Sequence, residues 1–308
     1  MSAQTVDIVI PTRNTRDVTL RCLHALQQEP KAEEILVRCI LVDNGSRDET
    51  AEAVARRFPE VLVVRNDRNA GYGEAANSGS RLGSGDFVLI LNSDAIARPG
   101  AVATLAQFLD RHPDFVAAAG QLVHEASGLP QVGFAIRAFP TLGGQLALMT
   151  GLERYWPGNP VSRRQSLRDF DYGRTQEVDG QPAGACLMCR RADFEAAGGF
   201  DEGFFYWFED VDLVRRLRDR GRIGYVHDAV FGHLGGETFG QWSRSAVIVA
   251  RYEGLLRYFR KHHRRRELLA LRAVVVFLAA LRSVPLALFD RSRARAYSRV
   301  LRRALERS

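Results

Sequence analysis

Carboxylates, asparagines and one histidine gather at four places along this chain. They are Val42-Asp43-Asn44-Gly45-Ser46, Asn92-Ser93-Asp94, Phe208-Glu209-Asp210 and Gly232-His233-Leu234-Gly235-Gly236. The first two close apolar runs, Cys39-Ile40-Leu41-Val42 and Phe87-Val88-Leu89-Ile90-Leu91, that read as buried strands. Open α/β sheets bind ligands beyond the carboxyl ends of their strands. An acidic side chain there can hold a divalent cation against phosphate oxygens. A downstream acidic pair can take a proton from a hydroxyl, and an imidazole suits an ion such as Mn²⁺. The set is what a metal-assisted transfer from a nucleotide-linked donor needs.

Alternating strands and helices must position these groups. Ile8–Ile10 reads as a first strand stopped by Pro11, followed by a helix from about Arg16 to Gln28 on Val18, Leu20, Leu23 and Leu26. The strand ending at Val42 leads to a helix over Asp48–Arg57. A strand over Val61–Val64 and a helix over Gly73–Leu82 follow. The strand ending at Leu91 leads to a helix over Ala101–Asp110 entered through Pro99-Gly100. This alternation predicts a mainly parallel sheet. Beyond Gly120 the pattern loosens, and residues 125–180, rich in Gly, Pro and Arg, read as a mobile or acceptor-facing segment. Ala183–His233 is compact again, with a helix over Val211–Arg220.

With 308 residues and 46% apolar content the chain can bury a large core. The net charge of +7 is uneven: Arg251–Ser308 carries 16 Lys/Arg against 4 Asp/Glu, so residues 1–250 are mildly acidic. The amino terminus shows no export signal, and the four cysteines are expected to be reduced thiols in a cytoplasm. Cys186-Leu187-Met188-Cys189 has C-x-x-C spacing but no second pair, so no zinc or redox role is expected. In the tail, Tyr252, Leu255, Leu256 and Phe259 form one helical stripe and Arg257, Arg260, Lys261 and Arg264 another. Leu268–Phe289 is apolar but broken by Arg272 and Arg282. Its charge-free run Ala273–Leu281 is far short of the roughly 20 residues of a spanning helix. A basic amphipathic segment on an anionic membrane surface fits better; a helical cap or self-association contact is the plainer alternative.

The ordered motifs carry a family resemblance. Ile8-Val9-Ile10-Pro11-Thr12-Arg13-Asn14, Val42–Asp48, Asn69-Ala70-Gly71-Tyr72-Gly73 with Ala76-Asn77, Leu91–Asp94, Gly198–Glu202 and Phe208–Leu213 resemble family 2 glycosyltransferases of the GT-A fold. The Asn-Ser-Asp, Glu-Asp-Val-Asp-Leu and Gly-His variants resemble bacterial rhamnosyltransferase-type members. The likeness spans roughly residues 6–265. It implies an inverting sugar transfer from a nucleoside-diphosphate sugar with Mg²⁺ or Mn²⁺.

On that reading Asp94 is a metal ligand, the last residue of an Asp-x-Asp-type motif whose first aspartate is here Asn92. The missing carboxylate shifts weight to His233 as a second protein ligand. Asp210 is the implied base, with Glu209 beside it supporting acceptor binding or its pKa, because adjacent carboxylates raise one another's pKa. The plainer reading of Glu209, Asp210 and Asp212 is a set of acids favouring a helix dipole. The aromatic run Phe204–Phe208 argues for a pocket wall, which places Trp207 and Phe208 on the acceptor side. Donor contacts are expected from Thr12, Arg13, Asn14, Asp43, Asn69, Gly71, Tyr72, Gly73, Asn77, Asn92 and Ser93, with the glycines admitting backbone close to a nucleotide.

The expected architecture is an α/β GT-A, Rossmann-like domain over residues 1–245, with a donor half to about 120 and an acceptor half beyond it. Residues 246–308 form a basic helical extension. The expected partners are a dTDP- or UDP-linked donor, with dTDP-rhamnose preferred over a UDP-hexose or UDP-GlcNAc, and a glycan or lipid-linked acceptor. An anionic membrane surface is the third, at the inner face of the cytoplasmic membrane. Nucleic-acid binding by the arginine-rich tail would leave the acidic motifs without a role. A catalytically inert membrane scaffold is the remaining rival.

Overall fold

The computed structural model describes residues 4–30, 35–235 and 242–306. Strands and helices alternate through β1 (Gln4–Thr12), α1 (Arg16–Gln27), β2 (Ile35–Asp43), α2 (Thr50–Arg57), β3 (Leu62–Arg65), α3 (Tyr72–Ser80) and β4 (Phe87–Leu91). Then come β5 (Ala95–Ala97), α4 (Ala101–Arg111), β6 (Phe115–His124), β7 (Ile136–Arg137), α5 (Leu142–Thr150), α6 (Leu152–Tyr155), α7 (Pro160–Gln165), β8 (Gln176–Glu177) and β9 (Gln181–Pro182). The body closes with β10 (Cys186–Arg190), α8 (Arg191–Ala196), α9 (Glu209–Arg218) and β11 (Arg222–His233), and the tail is α10 (Arg244–His262), α11 (Arg265–Phe289) and α12 (Arg291–Leu305).

The main sheet runs β3-β2-β1-β4-β10-β6-β11-β5, with β8 also on β11. The β1–β4 block is parallel, β10 runs antiparallel to both β4 and β6, and β6 pairs with β11 in parallel. Both faces are covered by helices, so the central strands are apolar on both sides. Ile8 and Ile10 enter one core, Val9 the other. Strand order reverses between β1 and β4, which opens a crevice at their carboxyl ends.

Pro11 does not stop the first strand; it pairs in register with Val42. The pairing of β1 with β4 ends at Val9, so Pro11 lies where β1 has a neighbour on one side only, which tolerates a missing N–H. The buried face of α1 is Thr19, Cys22, Leu23 and Leu26, while Val18 and Leu20 are only half-buried. Cys186 and Cys189 sit three apart on a strand, so they enter opposite cores and cannot face one another. Burial pushes both thiols up, Cys186 to about 12.

Residues 125–180 are not structureless. Thr141 Oγ1 accepts from Gly144 N at 3.1 Å and caps α5; Asn159 Oδ1 accepts from Ser162 N at 2.9 Å and caps α7, with Pro160 at its first turn. Likewise α11 is one helix of 25 residues, with Pro285 inside it, and is long and apolar enough to cross a membrane. Arg272 and Arg282 do not interrupt it because each turns toward the protein. Arg272 donates to the Ala304 and Glu306 carbonyls, and Arg282 to Tyr252 Oη and the Met149 carbonyl. Leu271, Val275 and Ala279 pack inward; Phe277, Leu281, Val284 and Leu288 stand exposed.

One buried carboxylate gathers several of the bonds that tie the tail to the body. Asp212, in the first turn of α9, is fully buried and meets Arg216 at 2.7 Å, Lys261 at 2.8 Å and His262 Nε2 at 2.7 Å. Burial alone would raise its pKa; bonds from His262 and Lys261 and the charge of Arg216 outweigh this and hold it below its ordinary value. Breaking a buried pair by removing one partner costs about 3–5 kcal/mol. Asp212→Ala is therefore expected to lower unfolding free energy in urea by about that amount; a loss under about 1 kcal/mol would contradict the clamp.

Candidate active site

The crevice holds a cavity of about 460 Å³ whose wall includes Asp94, His233, Glu209, Asp210 and Tyr72. On its sheet side, Thr12, Thr15, Thr19 and Ser93 join hydroxyls at 2.7–3.2 Å, tying the end of β1 to the segment after β4. Asn92 N donates to Ala185 O at 2.9 Å, which holds that segment against the approach to β10.

Asp94 and His233 are both buried, with Oδ1 and Nε2 3.3 Å apart. Gln131 Nε2 donates to the His233 carbonyl at 2.8 Å, so its Oε1 is presented to His233 Nδ1 at 2.9 Å. That network assigns the proton to Nδ1 and points the Nε2 lone pair at Asp94. Phe134 stacks on the imidazole at 5.2 Å, and Gly235 N donates to Asp94 Oδ2 at 3.1 Å. Facing lone pairs on buried nitrogen and carboxylate oxygen suit a shared cation. Among the described residues no third His, Cys, Asp or Glu joins them. A Mg²⁺ or Mn²⁺ ion here would take its remaining ligands from phosphate and water, as such ions commonly do. Asn92 replaces the missing aspartate as a hydrogen-bonding group: its Oδ1 accepts from Tyr72 Oη at 2.9 Å, and its Nδ2 lies 3.4 Å from His233 Nε2.

Opposite them, α9 presents its first two residues. Asp210 Oδ2 accepts from Gly184 N at 3.0 Å and Oδ1 from Val211 N at 2.8 Å, which fixes the carboxylate at the cavity wall. A Cβ on Gly184 would lie 2.7 Å from Asp210 Cβ, so only glycine admits this approach. Glu209 is buried, and its Oε2 has no hydrogen-bond partner. Burial, then the charge of Asp210, pushes the Glu209 carboxyl up to about 8. Trp207 and Phe208, at φ 63° and 71°, turn the chain into α9 through the left-handed region, where strain is common at functional sites. The α10 helix braces this turn: a Cβ at Gly254 would meet Trp207 O at 2.6 Å.

The residues expected to bind donor divide in two. Thr12, Arg13, Asn69, Tyr72, Asn92, Ser93 and Asp94 line the cavity, as do Trp207 and Phe208. Asn14 instead pins the β2–α2 connection, with its N–H on Ser46 Oγ and its Oδ1 accepting from Arg47 N. Asn77 is spent on a structural joint, with bonds to Phe200 N and O and to Glu202. Gly73 is small because Phe200 Cβ lies 3.0 Å from where its own would be, and Gly71 because Phe205 O lies at 2.7 Å. These two glycines admit protein rather than ligand. Asp43 is buried beside the crevice, accepts from Ser46 N at 3.1 Å and is raised by burial, outside the cavity wall. Its neighbour Asn44 holds the loop before α3 through Asn66, Asn69, Ala70 and Gly71.

Sequence reading passed over Gln131, Gly184 and Trp242. Gly184 has a signal, a glycine between small residues just before an apolar run; Gln131 has none. Trp242 gathers the Phe205, Tyr206 and Trp207 rings at 5.9, 4.9 and 6.3 Å at the cavity. Gly236 of the glycine-histidine motif lies outside the described residues.

Two expectations follow from this geometry. Displacing a reacting group by about 1 Å can cost on the order of 100-fold in rate, so Gly184→Ala should lower turnover by about that factor while leaving the melting temperature within a few degrees. Turnover near wild type would show that Asp210 needs no such approach. A carboxyl whose pKa rises from 4.5 to about 8 on folding makes the native state bind the extra proton between those values. Stability contributed by Glu209 thus falls as pH rises through that window. Melts from pH 5 to 9 should show Glu209→Gln losing less stability than wild type; parallel curves would contradict the burial effect.

A model of glycosyl transferase family 2 matches residues 7–170. The N-acetylglucosaminyl-diphospho-decaprenol L-rhamnosyltransferase of Mycobacterium tuberculosis is 34% identical over 216 residues, 66% of this chain and 68% of its own length. The mannosyltransferase PcManGT from Pyrobaculum calidifontis, solved with GDP-Man and Mn²⁺, superposes with TM-score 0.54 at 17% identity, over 99% of this chain and 86% of its own. GalNAc-T7 with UDP, GalNAc and Mn²⁺ gives TM-score 0.57 at 18% identity, over 75% of this chain but only 43% of its own. At those identities the two structures share the fold.

Proposed function

The chain belongs to glycosyl transferase family 2, and from that premise we propose that it moves rhamnose from dTDP-rhamnose, with inversion and with Mg²⁺ or Mn²⁺, onto a lipid-linked glycan. The observation that carries the reading is the placement of Asp210 in the same cavity as the Asp94–His233 pair. The donor sugar and acceptor class rest on the mycobacterial relative, whose name specifies an L-rhamnosyltransferase acting on a decaprenol-linked acceptor.

A divalent ion held by Asp94 and His233 would offset the charge that builds on the leaving diphosphate. The remaining work falls to the chain itself. Asp210 accepts the proton of the acceptor hydroxyl as the new C–O bond forms and the bond to the diphosphate oxygen breaks. Backbone N–H groups of Gly184 and Val211 keep its carboxylate aimed. Glu209, neutral at pH 7 by its burial, offers a hydrogen-bond donor beside the base without adding a second negative charge. Tyr72, held by Asn92 and Gly184 O, closes the wall between the two halves. The exposed apolar face of α11, with the arginine-rich α12 packed against that helix, would rest on an anionic membrane from the cytoplasmic side, within reach of a lipid-linked acceptor.

Calorimetric titration of dTDP-rhamnose, UDP-GlcNAc and GDP-mannose, each with and without Mn²⁺, tests the donor. The dTDP sugar should bind most tightly, and only with metal; a UDP or GDP preference would overturn it. Asp210→Asn should lower transfer by at least about 1,000-fold, within the loss expected when a general base is removed, while donor affinity stays within about twofold. Near wild-type turnover would remove Asp210 as the base.

A further inference from the structure

The cavity contains a second cationic feature that neither Asp94 nor His233 explains. Arg137, at the end of β7, and Arg251, on α10, both line it together with Asp210. Arg137 lies over the Phe134 ring at 5.9 Å, and the Gln181 amide oxygen, in the orientation that satisfies both its ends, accepts from Arg137 Nε at 3.0 Å. Gln181 is neutral, and among the described residues neither guanidinium has a carboxylate within ion-pairing distance. Other inward-turned arginines of this chain, such as Arg191 and Arg216, do have one. Arg137 loses hydration by burial, which lowers its pKa; Asp210 opposes this and Arg251 adds to it.

We propose that Arg137 and Arg251 form an anion subsite for the diphosphate of a lipid-linked acceptor, on the acceptor side of Asp210. The proposal rests on the transfer reading above and extends it to the acceptor's linkage. Two guanidiniums are suited to a diphosphate because each can present paired N–H groups to phosphate oxygens. The donor diphosphate has its own place at Asp94 and His233, so a second anion site beside the base belongs to the other substrate. From there the surface becomes apolar. Leu148 of α5 lines the cavity and is 48% exposed, and Arg282 of α11 bonds the Met149 carbonyl next to it. The stripe continues over Leu281, Val284 and Leu288, which are 60, 73 and 80% exposed. A carboxylate, two cations and the exposed Leu148 on one cavity wall match the hydroxyl, the diphosphate and the first apolar units of such an acceptor.

The test keeps the donor site filled with saturating dTDP and Mn²⁺ and titrates farnesyl diphosphate, farnesol and inorganic pyrophosphate, following tryptophan fluorescence. Farnesyl diphosphate should bind at least about tenfold more tightly than farnesol or pyrophosphate, a gap of about 1.4 kcal/mol. Arg251→Gln and Arg137→Gln should each weaken it by about tenfold, leaving farnesol and dTDP affinities unchanged. Arg251 is exposed, so its variant keeps the test open should Arg137→Gln unfold. Equal farnesyl diphosphate binding in wild type and Arg251→Gln, or no farnesyl diphosphate binding while dTDP and Mn²⁺ fill the donor site, would overturn the subsite. Pyrophosphate binding as tightly as the lipid would overturn its lipid-linked character. Failure of every nucleotide to bind would strike the transfer reading instead, and the farnesyl diphosphate arm would still report on the arginines.

Discussion

One residue, Gly184, joins the segments that build the cavity. Its N–H donates to Asp210 and its carbonyl accepts from Tyr72, while the next carbonyl, that of Ala185, accepts from Asn92 N. Through these contacts the end of β4, the start of α3 and the start of α9 converge on a single stretch of backbone that leads into β10. The arrangement requires β10 to run antiparallel beside β4, because only then does its entry stand next to the carboxyl end of β4. It also requires the absence of a side chain at 184, since a Cβ would displace Asp210. The GT-A sheet thus brings the Asp210 carboxylate to its carboxyl edge by reversing one strand.

Holding Asp210 in this position has an energetic cost that the tail helps to offset. Two consecutive non-glycine residues in the left-handed region, Trp207 and Phe208, cost roughly 1–3 kcal/mol each, and Glu209 is buried without a partner for Oε2. The α10 helix covers the turn at Gly254, ties Asp201 through Arg257 at 2.8 Å and Lys261 at 2.9 Å, and closes on Asp212 one turn into α9. The basic extension therefore does more than carry charge: its first helix fixes the turn that leads into α9. The apolar face it leaves exposed lies on α11, away from Arg272 and Arg282, which bond to the protein.

Much of the fold was legible because buried parallel strands are apolar on both faces, and β4 coincides with the run Phe87–Leu91. What escaped was what depends on partners. In β6, Ala117-Ala118-Ala119-Gly120 has little strand character of its own and becomes a strand because β10 and β11 flank it, with Gly120 making room for the Phe231 ring. The helix α5 begins with Gly143-Gly144, poor helix formers that a Thr141 cap compensates. At the site, Asp94, His233, Glu209 and Asp210 could be read from motifs because their positions follow strand ends and a helix start. Asn77, Gly71 and Gly73 belong to an equally visible motif but serve packing, since an asparagine or glycine marks a constrained backbone whether ligand or protein lies against it. Arg137 and Arg251 come from separate segments, and only the folded chain shows that they share one cavity, with Gln131 buried behind His233.

The central claim is that Asp210 acts as a base in a single displacement at the anomeric carbon. The most direct measurement is the anomeric configuration of the first-formed product, read from its one-bond carbon–hydrogen coupling by NMR and compared with that of the donor. A configuration opposite to the donor's is the predicted result. Retention would contradict the account, because direct attack by a hydroxyl that Asp210 deprotonates inverts the anomeric carbon, whereas retention would make a carboxylate a nucleophile rather than a base.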